Sequence, residues 1–212
     1  TIEFFQDVGG DYFPFQRIEG APISKGCVGT FANCVVNDTL MFVGSGWNEA
    51  IAVYTAYNGQ FSKLSTSEIE QQLTYYTEAQ LESIICEYKV YNGHNHFMIH
   101  LPDQTMVYDI NASQTVGEPI WYTMTSTVNG KGLYRAHNHV YAYNRWNVAD
   151  PSTNKIGYLT DEISSHYGDV IGWEFSTQML YNDSRGAIFN ELELIATTGR
   201  TQLGLSPIVS TC

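Results

Sequence analysis

Five of the six histidines raise the first chemical question in this chain. His94, His96 and His100 fall within the stretch YNGHNHFMIHLPDQTMVYD, and a second His-Asn-His triplet, His137 and His139, follows 43 residues after the first. Imidazole nitrogens are good zinc ligands, so a metal site is one reading. The other is a β-hairpin whose histidines hydrogen-bond to neighbouring strands. On a strand, residues two apart share a face about 7 Å apart along the chain, so His94 and His96 could share an ion. His100 lies on that face too, but about 13 Å beyond His96 and out of reach of the same ion. With the second triplet at the equivalent position of the next repeat unit, the dyads His94/His96 and His137/His139 are held apart, and a third ligand would have to be a distant carboxylate. The expectation is hairpin-edge histidines and no metal site.

Acid–base chemistry has candidates but no pattern. Asp103, Asp109, Asp150, Asp161, Glu162, Asp169 and Glu174 could supply a glycosidase pair, yet no two stand in a distinctive context, and acidic residues of an acidic chain are usually solvated. There is no G-x-S-x-G, and VGSGW around Ser45 reads as a turn. Walker A and G-x-G-x-x-G loops are absent as well. No catalytic, cofactor-binding or metal residue is assigned, no cofactor is expected, and the chain reads as a non-enzyme. A propeller-fold glycan hydrolase and a metal-dependent binding module built on His94 and His96 are the alternatives.

The chain has 212 residues with a formal net charge of −12. Such a surface repels phosphates, which argues against nucleic-acid binding, and the ten Lys and Arg form no membrane-surface cluster. No apolar stretch has the length of a membrane span. Cys27, Cys34, Cys86 and Cys212 make no C-x-x-C pair and read as buried thiols of a reducing compartment. Asn-x-Ser/Thr triplets at Asn37, Asn111 and Asn182 are read as chance occurrences. TIEFFQ at the start lacks an initiator Met, and the chain stops abruptly at Cys212, so both ends read as cut.

Elements able to position these residues are mostly strands. Fifteen Tyr, ten Phe and 18 Gly favour β-structure with many turns. Asn37-Asp38 and Asn92-Gly93 each separate two apolar runs, a hairpin signal. LYRAHNHVYAY is read as a third hairpin with its turn near Ala136 to Asn138. Each hairpin precedes a further strand, placing Val53, Val107 and Gly157 at equivalent positions 54 and 50 residues apart. PIWYTM and VIGWEF then close their units. Ser65 with Glu68 suggests a capping box, and Thr77 caps a second helical turn, giving a helical insertion near 65–85. Tyr75, Tyr76, Tyr88 and Tyr91, with Trp121 and Trp173, are read as blade packing.

The fold class expected is all-β, a β-propeller with an incomplete set of four-stranded blades. About three units span residues 1–182. Residues 183–212 then begin a C-terminal β segment, with the half-exposed strand IFNELELIATTGR. The loops Ser45–Glu49 and Arg145–Asn154 are the expected contact sites, because loops on rigid strands carry binding function.

Several stretches, in order, resemble the packaged-DNA stabilisation family, tail accessory (tail hub) proteins of short-tailed bacteriophages. They are TIEFFQDVGG, GCVGTFANCVVNDTLMFVGS, LSTSEIEQQLTYYTEAQLE, HFMIHLPDQTMVYDINAS, ISSHYG and LELIATTGR. The resemblance covers about Thr1 to Arg200 and implies the later part of a longer protein. It implies a structural virion protein of the tail, assembled in the bacterial cytoplasm, which helps close the portal channel and retain packaged DNA. The partners implied are copies of itself in a ring, a portal-side adaptor, the tail needle and the tailspike. It assigns no catalytic residue, and it gives His96 and His100 no chemistry.

Overall fold

A computed structural model of the chain describes residues 1–176 apart from 11, 130, 131 and 164, together with 186, 188, 191 and 193. A short ribbon, β1 (Phe5–Asp7) and β2 (Phe15–Arg17), precedes the main sheets. The first blade comprises β3 (Gly26–Cys27), β4 (Asn33–Val36), β5 (Thr39–Ser45), β6 (Ala52–Tyr57) and β7 (Gln60–Lys63). Its centre is β5, which pairs with both β4 and β3 on one edge and with β6 on the other. Helices α1 (Ser67–Leu73) and α2 (Glu78–Glu82) lead to the second blade, β8 (Ile85–Tyr91), β9 (His94–His100), β10 (Thr105–Asp109), then α3 (Ile110–Val116) and β11 (Trp121–Met124). Its strands lie in sequence order, all antiparallel. The third blade is β12 (His137–Ala142), β13 (Arg145–Ala149) and β14 (Ile156–Tyr158), and a small ribbon of β15 (Ser165–His166) and β16 (Asp169–Val170) follows. Val53, Val107 and Gly157 fall on corresponding strands, β6, β10 and β14.

Turn chemistry fixes these hairpins. Asn37 and Asp38 have φ of 47° and 63°, and Asn92 and Gly93 have 50° and 81°, the paired positive values a two-residue type I′ turn requires. The register they set sends alternate residues to opposite sides of each sheet. Phe97 and Ile99 of β9, with Met106 and Tyr108 of β10, face Met41, Val43 and Val53 of the first blade, and Ile69, Leu73 and Leu81 of the helices close this core. Met98 and Val107 face the other way, against Tyr134, Ala136 and Val148 of the third unit. The second blade is therefore covered on both sides, as a propeller blade must be. The far face of the first blade, Phe42, Tyr54 and Ala56, is covered by Ile2, Phe4 and Ile23. Truncating Ile99 to Ala in such a core costs about 2–5 kcal/mol.

The architecture is thus a partial β-propeller whose sheets do not close into a ring among the described residues. Several local expectations are corrected. The third hairpin turns at Tyr143 and Asn144, both with positive φ, and not near Ala136 to Asn138. The first helix is capped at Thr66 without a side-chain bond, while Ser65 Oγ accepts from the Val53 N–H and donates to Glu70. The Thr77 capping box is present. Helix α3 follows β10 directly, where a strand alone was expected. VIGWEF is strand only at its first residue, and Trp173 is exposed instead of packed. Tyr75 is exposed as well, whereas Trp121 packs on the main core and donates Nε1–H to the Leu64 carbonyl at 3.2 Å. Half of the Arg145–Asn154 loop is strand β13. Cys86 is buried, but Cys27 is exposed, and both are free thiols, as is Cys34. Cys212, Asn182 and most of 183–212, including most of the IFNELELIATTGR strand, lie outside the described residues.

Candidate functional site

Antiparallel register gathers the polar chemistry of the second blade on one face. Across β8, β9 and β10 the rows read Tyr91–His94, Lys89–His96–Asp109, Glu87–Met98–Val107 and Ile85–His100–Thr105. Strand β12 of the third blade lies against β8. Because the third hairpin turns late, His137 and His139 begin the first strand of their blade, while His94 and His96 begin the second strand of theirs. The two triplets are not equivalent; the dyads stay in separate clusters, and what the sequence did not anticipate is that the second triplet meets His100. His137 and His139 reach His100, with the His100 and His137 rings 3.9 Å apart and the His100 and His139 rings 6.4 Å apart, centre to centre.

A bulge explains how the seam is joined. The β12–β13 register shifts between His137 and Val140, and Asn138 takes a φ of 54°. A bulge leaves backbone groups without ladder partners. Here the N–H of Asn138 donates to Glu87 Oε1 at 2.6 Å and that of His139 to Glu87 Oε2 at 3.2 Å. His139 Nδ1 meets the same Oε2 at 2.7 Å. Glu87 thus ties β8 to β12 through three contacts.

Burial would raise the Glu87 carboxyl, but the close imidazoles of His100 and His139 outweigh it and hold the group well below the usual carboxylate range. His139 is pushed down by burial, against the pull of Glu87. A neutral His139 facing an ionised Glu87 must carry its proton on Nδ1, which leaves Nε2 as a bare lone pair. His137 is lowered to about 4 by burial and then by His100. His100 Nδ1 bonds Thr105 Oγ1 at 2.9 Å, and its Nε2 stands 3.4 Å from Glu87 Oε2 without forming a hydrogen bond. The Nε2 atoms of His100, His137 and His139 are all buried and unpartnered. Buried polar atoms are nearly always paired, so three in one seam call for a reason.

The first triplet makes a second, shallower cluster. His94 Nδ1 meets Asp109 Oδ2 at 2.7 Å, and His96 Nε2 lies 3.8 Å from the same oxygen. His94 is half exposed. His96 is lowered to about 4 by burial and then by the ammonium of Lys89, which sits in its row. Lys89 itself is lowered to about 8 by burial, against the pull of Glu87.

The remaining carboxylates do not assemble into an acid–base pair. Asp150 and Asp169 both bind Arg135, whose Nη2 is 2.6 Å from Asp150 and whose Nη1 is 2.6 Å from Asp169. Arg135 is the first cause holding the Asp150 carboxyl well below its usual range. Asp103 accepts from Tyr76 and Asp161 from Tyr91. Glu87 was not among the sequence candidates. Its only signal was a place in the alternation Cys86-Glu87-Tyr88-Lys89, which reads equally well as an exposed edge.

Large apolar side chains stand in solvent at several edges. Trp47 is 97% exposed on the turn after β5, a turn anchored by an ion pair between Lys25 and Glu49. Val140, Ile156 and Tyr158 are exposed on the third blade.

A family described as Bacteriophage P22 Gp10, beta-propeller, matches residues 1–164 of this chain, a segment that takes in every element from β1 to β14. The chain is also similar to the protein named Tail hub protein gp10 of Salmonella phage P22, with 27% identity over 205 residues. That alignment covers 95% of this chain and 42% of the relative, so the chain spans less than half the relative's length.

Proposed function

The chain belongs to the Bacteriophage P22 Gp10 beta-propeller family, and from that membership we propose that it is a structural protein of a bacteriophage tail, working by contact with other tail proteins and with copies of itself. The match across residues 1–164 carries this reading. Its job is to help close the channel through which DNA was packaged while anchoring other tail parts. The acidic surface suits a plug that holds DNA mechanically, since it repels phosphates. The partners are tail proteins on the portal side and at the needle and spike. Exposed Trp47 and the apolar outer face of the third blade suit such contacts, because aromatic side chains on rigid strands dominate protein interfaces. This reading includes no catalytic activity, in keeping with the engagement of Asp150 and Asp169 by Arg135 and of Glu87 by the seam.

Immunogold labelling of phage particles with antibody against this chain tests the reading. Label confined to the tail vertex is expected. Label absent from particles and recovered only from host lysate would overturn it.

A further inference from the structure

We propose that Glu87, His100 and His139 bind a divalent transition-metal ion of the zinc type, which clasps the second blade to the third. One ligand atom from each lies within 4.8 Å of the other two. A tetrahedral ion at its usual bond lengths needs ligand atoms roughly 3.3 Å apart. Glu87 Oε2 and His100 Nε2 already stand at 3.4 Å; for His139 to bind, its proton moves from Nδ1 to Nε2, and its 2.7 Å contact with Glu87 opens by roughly half an ångström.

The donors suit that class of ion. One carboxylate and two imidazoles favour zinc and its neighbours over calcium or magnesium, which prefer all-oxygen sites. The side chains of His100 and His139 are 2% and 0% exposed. His100 Nε2 is a buried donor atom without a partner, and the supporting contacts are in place: His100 Nδ1 bonds Thr105 Oγ1, and the Asn138 N–H holds the other oxygen of Glu87. His137 packs its ring against His100 but lies outside the set of three, so a water would complete a four-coordinate site. A cleft of about 190 Å3, lined by His100, His137, Leu101 and Leu133, adjoins the set on the His100 side. Lys89 is the adverse charge, two residues along β8 from Glu87. It weighs more on the other cluster, His94, His96 and Asp109, because it pairs directly with His96.

The test is Co(II) titration of the full chain after chelator treatment, followed by visible absorption. A d–d band of a four-coordinate site, saturating at about one ion per chain and erased by Zn(II), is expected. His139→Gln and His100→Gln should abolish the band, while His94→Gln should retain it. Because a seam variant could lose its fold, thermal melting of the unmutated chain adds a second readout. Zn(II) should raise Tm by roughly 5 °C or more, reversibly with chelator. No band together with no shift in Tm would overturn the proposal, as would a band lost in His94→Gln and kept in His139→Gln.

Discussion

Glu87 Oε2 and His139 Nδ1 stand 2.7 Å apart across the seam between the second and third blades, and the same carboxylate also receives the backbone N–H groups of Asn138 and His139. Glu87→Ala strands two backbone donors and an imidazole in a buried place. An expected loss of about 3–5 kcal/mol follows, measured by urea unfolding of chelator-treated protein. Glu87→Gln keeps an acceptor oxygen and should lose less.

Arg135 separates a buried partner from an exposed one. Asp150 has a fully buried side chain that also accepts from the Ser152 N–H and the Thr153 hydroxyl, whereas Asp169 is mostly solvated. Asp150→Ala should destabilise the chain by about 3 kcal/mol and Asp169→Ala by about 0–1 kcal/mol. Equal losses in denaturant melts would contradict the assignment.

Helix α3 is held by its two ends. Asp109 Oδ1 accepts from the Ala112 N–H, and Gly117 follows the last turn with a φ of 83°. Asp109→Ala should cost about 1–2 kcal/mol, and Gly117→Ala about 1 kcal/mol because a Cβ is strained in the left-handed region. Hydrogen exchange should accelerate in 110–116 in both variants.

Acid should weaken the fold in a defined window. Folded His96 titrates at about 4 against about 6.5 in an unfolded chain, so between those values the unfolded chain binds more protons. Stability from this neutral imidazole is fully present above pH 6.5 and is lost as the pH falls toward 4. The expected loss is of order 2 kcal/mol, and His96→Gln should flatten the slope of unfolding free energy against pH in that interval.

Trp47 is expected to serve contacts and not folding. Trp47→Ser should change stability by no more than about 0.5 kcal/mol, because the ring touches solvent on nearly all sides. Incorporation into tails, scored by quantitative blotting of purified particles, should fall at least several-fold.

Much of the fold is legible in the residues themselves. Asn37-Asp38 and Asn92-Gly93 announce their turns because few other side chains tolerate positive φ at both positions. Thr77 and Gln80 announce a helix start for the same local reason. The third hairpin hides because Tyr143 is no ordinary turn residue, while Asn138, which looks like one, uses its left-handed backbone for a bulge. That single displacement moved His137 and His139 into the wrong strand of the blade and concealed their meeting with His100. Glu87 could not be found locally. What buries it is a strand some fifty residues later, and alternation along β8 carries no trace of that partner. Helix α3 was within reach, since Asp109 and Gly117 are a start and a stop, but the β-rich run before Asp109 masked the change of period.

Strand β9 has no solvent face over Phe97 to His100. Its odd-numbered side chains grip one neighbour and its even-numbered ones the other, so a tug on the third blade is handed on to the first through a single rigid spar. A one-residue insertion there would not merely loosen a joint; it would exchange the two sets of side chains and undo both joints together.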